Sequence, residues 1–144
     1  MSMQLDKVQP KNKTQLKQLI NYAFKHNIYD LNFIDTSEIT DMSLLFSNRM
    51  HNFDVSSWDV SNVTNMGYIF YHCKNFNCDL SNWDVSKVKN MNYMFYNCKN
   101  FNCDLSDWDI SNITRWKNVF CECDKMTIPN WYKKLYIVKN KLYI

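Results

Sequence analysis

The chain has 144 residues, enough for one domain, and 46% of them are apolar, which excludes a disordered polar chain. Formal charge is only +3, and Lys and Arg are scattered along the chain, so the clustered basic face that nucleic-acid binding needs is missing and no nucleic-acid partner is expected. No apolar run reaches the ~20 residues of a membrane span, and MSMQLDKVQPKNKTQ lacks the apolar core of a secretory signal, so the expected location is the cytoplasm, or outside the cell by a non-classical route.

The first predicted element is a helix over Asn12–Asn27. Asn12 supplies a cap and Gln15 stands three residues on, in the manner of a capping box. Leu16, Leu19, Ile20, Ala23 and Phe24 then fall on one face at helical spacing. Residues 1–33 read as an N-terminal helical cap over the open end of a stack.

A repeat of 25 residues follows. Trp58, Trp83 and Trp108 share one slot, Phe70, Phe95 and Phe120 another, and Cys73, Cys98 and Cys123 a third. Met66 and Met91 form a fourth column. Copies start at Ile34, Trp58, Trp83 and Trp108, so residues 34–132 form four repeats of one domain. A fixed period of this length means stacked units. All the columns named here are assigned to the interior of the stack.

Within one copy the periodicity changes. Cys78, Leu80, Trp83 and Val85 are separated by Asp79, Ser81 and Asp84, which is strand alternation interrupted at Asn82. Met91, Met94, Phe95 and Cys98 then follow at i, i+3, i+4, i+7, one face of a short helix. One short strand and one short helix or helical turn per copy, with parallel strands from copy to copy, is the expected α/β architecture. After Pro129 the pattern stops. Residues 133–144 carry two β-favouring runs, Leu135–Val138 and Lys141–Ile144, and read as a C-terminal cap in the form of a hairpin.

CDLSNWDVS from Cys78 and MNYMFYNC from Met91 resemble the repeat of the BspA-like leucine-rich-repeat family. PKNKTQLKQLI and IDTSEITDMSLLF are similar to the way such domains begin. The resemblance spans about residues 10–130. It implies a right-handed leucine-rich-repeat-type solenoid and a role in binding proteins at surfaces. It brings no catalytic residues.

The remaining residues offer little chemistry. Cys73-x4-Cys78 and Cys98-x4-Cys103 could be zinc ligand pairs, but Phe53 and Ile128 fill the second slot elsewhere, which suits an apolar interior. Free thiols are expected, with Cys121 the exposed one; same-slot cysteines one copy apart leave bridging open. Asp35, Asp59, Asp84 and Asp109 form one carboxylate column and Asp54, Asp79 and Asp104 another. Each Asp is read as accepting backbone N–H groups in its own turn, with a Ca²⁺ ladder as the alternative. Ser61, Ser86 and Ser111 recur without a recurring base and are turn residues. His26, His51 and His72 share no slot. No enzyme, no cofactor and no metal are therefore expected.

What remains is a regular surface of Tyr68, Tyr71, Tyr93 and Tyr96 with Asn75 and Asn100, flanked by Asn77, Asn102, Lys74 and Lys99. Tyr gives rigid contact area at low entropic cost. The expected function is a non-enzymatic module that binds a protein partner there. A host-directed adaptor or effector, or a virion component, from an intracellular bacterium or large virus is the alternative, with a metal-dependent protein as a further one.

Overall fold

The computed structural model describes residues 6–141, and for Asn140 and Lys141 the backbone alone. It contains two helices, α1 (Lys13–Lys25) and α2 (Asn130–Lys141), with four stacked coils between them.

α1 starts where its cap puts it. The Asn12 side chain accepts from Gln15 N at 3.0 Å. Gln15 reaches back one residue further than a capping box requires, and its Oε1 accepts from Lys11 N at 2.8 Å. Leu16, Ile20 and Ala23 are buried, with Leu19 and Phe24 half-buried beside them. Asn27 ends the helix in the left-handed region (φ 57°), and Ile28 N bonds back to Ala23 O at 2.8 Å. That pairing satisfies a carbonyl the helix end would otherwise leave open.

The coils lie in register. The rings of Phe46, Phe70, Phe95 and Phe120 stack with centroids 5.8, 5.5 and 5.6 Å apart. A second aromatic column, Phe53, Phe76 and Phe101, runs beside the first. The two touch at 4.3, 4.2 and 4.3 Å within successive coils. Met66, Met91, Cys73 and Cys98 are fully buried around them, and Trp58, Trp83, Trp108 and Cys123 nearly so.

The indole N–H groups tie coil to coil. Trp58, Trp83 and Trp108 donate to the carbonyls of Leu31, Val55 and Leu80 at 2.9, 3.1 and 3.1 Å. The thiols of Cys73, Cys98 and Cys123 donate likewise to Phe46, Phe70 and Phe95 O. A buried N–H or S–H beneath a backbone carbonyl removes a desolvation penalty at both ends.

The expected leucine-rich-repeat solenoid with a strand and a helix in each copy is not what the chain forms. Among the described residues there is no strand, only isolated parallel bridges, of which Asp41, Asn65, Asn90 and Arg115 form a column. No helix occurs between Lys25 and Asn130.

Two local causes decide this. In the segment read as a strand, each Asp takes the N–H two residues on: Asp79 from Ser81 and Asp84 from Ser86, both at 3.0 Å. Backbone turns from Trp83 to Leu80 and from Val88 to Val85 close behind them. The segment therefore bends about every five residues, and its apolar side chains point inward from corners rather than from a pleat.

In the segment read as a helix, left-handed residues interrupt the backbone twice per coil. They are Leu44, Tyr68, Tyr93 and Asn118 at the first position, and Asn48, His72, Asn97 and Glu122 at the second. Alternate N–H groups leave the coil altogether: Met91, Tyr93, Phe95 and Asn97 donate to Arg115, Lys117, Val119 and Cys121 O, at 2.8 to 3.0 Å. Those between close three-residue turns, such as Met94 N to Met91 O. The result is a ribbon of consecutive turns whose inward positions coincide with one helical face.

The expected C-terminal hairpin is corrected too. Leu135–Val138 lies inside α2, and Lys141 is its last residue; Leu142–Ile144 fall outside the described residues. Pro129 opens the helix, its carbonyl accepting from Tyr132 and Lys133 N. Packing of Trp131 and Tyr132 on Phe120, with centroids 5.8 and 5.2 Å away, outweighs the β preference of Ile137 and Val138.

Candidate functional site

The turn ribbon faces two ways. Between inward Met66, Ile69 and Phe70 it presents Tyr68 and Tyr71; one coil on, between Met91, Met94 and Phe95, it presents Tyr93 and Tyr96. All four tyrosines are half-exposed. Their rings form a two-by-two array. Tyr68 stacks on Tyr93 at 4.9 Å and Tyr71 on Tyr96 at 5.3 Å. Along each coil Tyr68 meets Tyr71 at 5.4 Å and Tyr93 meets Tyr96 at 5.7 Å. His72 joins the edge, stacked on Tyr96 at 5.5 Å.

Tyr68 and Tyr93 hold φ of 59° and 55°, a region that bulky residues rarely occupy. Leu44, at the same position one coil earlier, is 53% exposed and extends the column. The sequence signal for Leu44 was its offset of 24 from Tyr68. Because stacked rings cover one another's faces, the array offers edges and phenolic hydroxyls to a partner.

Charge borders the array without dominating it. Lys117 Nζ stands 5.8 Å from the Tyr93 ring centroid. Tyr96 Oη donates to Glu122 Oε1 at 3.2 Å, and that bond pushes the Tyr96 phenol above its ordinary pKa. Glu122 also faces Lys99, which pairs more closely with Asp124 at 3.2 Å.

Asn97, buried below the array, has its amide nitrogen 3.1 Å from His72 Nδ1, while its Oδ1 is buried with no hydrogen-bond partner among the described residues.

Asn75 and Asn100 are placed as rungs. Asn75 Nδ2 donates to Met50 O at 2.7 Å, and Asn100 Nδ2 donates to Asn75 Oδ1 at 3.4 Å. Asn77 and Asn102 accept or donate in a parallel ladder, Asn77 N to Asn52 Oδ1 and Asn102 N to Asn77 Oδ1. Both ends of the Asn75 amide and the Asn100 Nδ2 are engaged in joining coils, and the array proper is the four tyrosines. Lys74 is exposed nearby.

One carboxylate column, at Asp54 and Asp79, lines a second feature. A cleft of about 430 Å³ is bounded by Tyr29, Asp30, Phe53, Asp54, Cys78 and Asp79 among others. Each Asp there accepts a backbone N–H in its own turn, as at Asp54 (Ser56 N, 2.9 Å) and Asp79 (Ser81 N, 3.0 Å). Bonds from the Ser two residues on hold Asp35, Asp54, Asp79, Asp84, Asp104 and Asp109 below the ordinary carboxylate pKa. Those bonds favour the ionised form at each position. Among the described residues, no three His, Cys, Asp or Glu side chains are grouped to hold a metal ion.

The cysteines divide into two environments. Burial pushes the Cys73 and Cys123 thiols up to about 12 and raises Cys98 as well. Cys78 lines the cleft and Cys103 stands one coil on, their thiols donating to Asp54 and Asp79 Oδ1 at 3.5 and 3.4 Å. Burial again dominates, with Cys78 at about 12 and Cys103 at about 11. All six cysteines are free, and Cys121 is the exposed one. Phe53 keeps the backbone slot of Cys78, directly before the turn Asp, while its ring reaches the column of Phe76 and Phe101.

Ser61 Oγ donates to Asp59 Oδ1 at 2.6 Å, inside its own turn. His26 Nδ1 lies on Tyr22 O and His72 Nδ1 on Asn97, so neither hydrogen-bonds a nucleophile. Sequence reading missed one further column member. Trp131 Nε1 donates to Leu105 O at 2.8 Å, continuing the tryptophan ties, but it stands 23 residues after Trp108 where the period asks for 25.

No helix among the described residues is long and apolar enough to cross a membrane. No curated protein and no solved structure matches the chain. One family model does, that of "Mycoplasma protein of unknown function, DUF285", over residues 14–131, which takes in α1 from its second residue, all four coils and the first two residues of α2; the chain belongs to that family.

Proposed function

We propose that the chain is a non-catalytic interaction module that binds a protein partner through the tyrosine array of its middle coils. The observation that carries this reading is the gathering of Tyr68, Tyr71, Tyr93 and Tyr96 into one half-exposed block, with two of the four held at left-handed φ. The same left-handed position recurs at Leu44 and Asn118 and belongs to the ribbon itself, which holds the rings in place. A rigid turn ribbon beneath the rings keeps them ordered before binding, which lowers the entropic cost of association. The resemblance of CDLSNWDVS and MNYMFYNC to the BspA-like repeat supports the same reading, since that resemblance implies a role in binding proteins at surfaces.

The test compares captured proteins for the wild type, for a Tyr93→Ala/Tyr96→Ala variant and for an Asn82→Ala control on the Asp-lined side. Loss of a partner in the tyrosine variant alone is expected. Identical partner sets for all three would discard the array as the binding face.

A further inference from the structure

Three clefts on the side of the Asp79 turn run into one another. The cleft that holds Tyr29 shares Asn77, Cys78 and Asp79 with the next, and that one shares Asn102, Cys103 and Asp104 with the third. Their volumes are about 430, 350 and 380 Å³. Together they form one trough that crosses the coils at a single slot, from Tyr29 at one end to Lys133 at the other.

Each coil gives the trough the same parts. Phe53, Cys78, Cys103 and Ile128 supply an apolar floor, buried or half-buried. Exposed Asn52, Asn77 and Asn102 precede the floor residue and exposed Asp54, Asp79 and Asp104 follow it, so amides form one wall and carboxylates the other. Every hydrogen bond to these three carboxylates lands on Oδ1, which leaves Oδ2 to a ligand. None of the three has an ion-pair partner among the described residues. The amides are divided in the same way. Asn52 and Asn77 Oδ1 accept from Asn77 and Asn102 N, while the three Nδ2 groups donate to nothing among the described residues. One wall therefore offers acceptors and the other donors, coil after coil.

We propose that the trough binds a straight, neutral oligosaccharide of β1,4-linked hexoses. The division of the walls selects this occupant. An extended peptide turns the N–H and C=O groups of successive residues to alternate sides, so some of its carbonyls would meet the carboxylates. A hydroxyl both donates and accepts, so it satisfies Asp Oδ2 on one wall or Asn Nδ2 on the other. The C–H face of each ring covers the apolar floor, and the carboxylate row turns away anionic chains. A β1,4-linked chain runs straight and advances by about one coil for each sugar, so the same contacts recur at Asp54, Asp79 and Asp104. Affinity then grows with chain length, because each further sugar is held beside its own coil by those already bound. The trough is separate from the tyrosine array and none of the four tyrosines lines it.

The intact protein is titrated by calorimetry with cellohexaose, with cellobiose and with maltohexaose, which carries the same sugar in a curved chain. Cellohexaose is expected to bind at least about ten-fold more tightly than either. An Asp79→Asn/Asp104→Asn variant keeps Oδ1 for the turn and replaces Oδ2 by a donor, and is expected to lose at least about five-fold in affinity. An Asp84→Asn/Asp109→Asn variant makes the same change of charge in the other carboxylate column, which lines none of the three clefts, and is expected to bind as the wild type does. Should a variant not fold, the wild type still gives an answer by NMR: the side-chain amide signals of Asn77 and Asn102 are expected to shift on addition of cellohexaose. No binding of cellohexaose, equal affinity for cellobiose, unmoved Asn77 and Asn102 signals, or equal losses in the two folded variants would overturn the proposal. Tighter binding of a hexalysine peptide than of cellohexaose would assign the trough to a cationic protein segment and overturn it too.

Discussion

At the scale of single residues, position in the coil decides what a side chain does. Phe95 and Tyr93 are two apart, yet they occupy opposite sides of the turn ribbon. Phe95 is fully buried, stacked between Phe70 and Phe120 and 4.3 Å from Phe101. Phe95→Ala leaves a cavity in a column that cannot collapse without shifting its neighbours, and a cost of about 3–5 kcal/mol is expected. Tyr93→Ala loses one stacked neighbour and one cation–π contact at the surface, worth about 1–2 kcal/mol together. Urea denaturation of the two variants measures both. Equal losses would place Tyr93 in the core and contradict the ribbon's orientation.

At the scale of elements, the turn ribbon and the helix it was mistaken for make opposite predictions. A glycine inside an exposed helix costs about 1 kcal/mol relative to alanine. Leu44 has φ 62° and an exposed side chain, so it bears the left-handed penalty, about 1–2 kcal/mol, with little burial in return. Leu44→Gly is therefore expected to be neutral or to stabilise by up to about 1 kcal/mol. A loss of that size in a thermal melt would return the segment to helix.

The same comparison explains what was legible. α1 was readable because Asn12, the apolar face and Asn27 all pointed to the same bounds. The ribbon was not, because Met91, Met94, Phe95 and Cys98 point inward in either backbone. The residues that break the helix carry no glycine to mark them: Leu44, Tyr68 and Glu122 hold positive φ without the usual residue for it. The strand reading failed for a related reason. Asp79 and Asp84 are spaced like the polar positions of a strand, but their carboxylates turn the backbone instead.

Phe53 directly precedes Asp54, as Cys78 precedes Asp79, so its spacing does not reveal that its ring fills the column of Phe76 and Phe101, which stand three residues before their Asp. The tyrosine array followed from the offset of 25 alone. The rung role of Asn75 and Asn100 could not, since an amide that joins coils and one that binds a partner read alike in sequence.

At the scale of the whole molecule, the stack is held by buried uncharged donors inside and by ionised turns outside, and both bear on pH. The carboxylates of Asp54, Asp79, Asp84, Asp104 and Asp109 have folded-state pKa values below the ordinary one. Their contribution is present above the unfolded value, near pH 4, and is lost as pH falls through the lowered folded values. The thiols run the other way. Cys73, Cys78 and Cys123 are pushed up to about 12, so the protonated form is favoured by folding. That contribution is complete below the unfolded thiol value, about 8.5, and is lost as pH rises from there towards the folded values. Melting temperature is expected to be flat between about pH 5 and 8 and to fall on both sides. A midpoint still rising at pH 10 would mean the thiols are not buried.

Register is the claim on which the columns, the tyrosine array and the ribbon all rest. Scalar coupling across hydrogen bonds, measured on isotope-labelled protein by NMR, reads it directly. The amides of Tyr93 and Phe95 are expected to couple to the carbonyls of Lys117 and Val119, one coil away. Coupling of those amides to carbonyls four residues earlier in the chain would contradict the stacked coils.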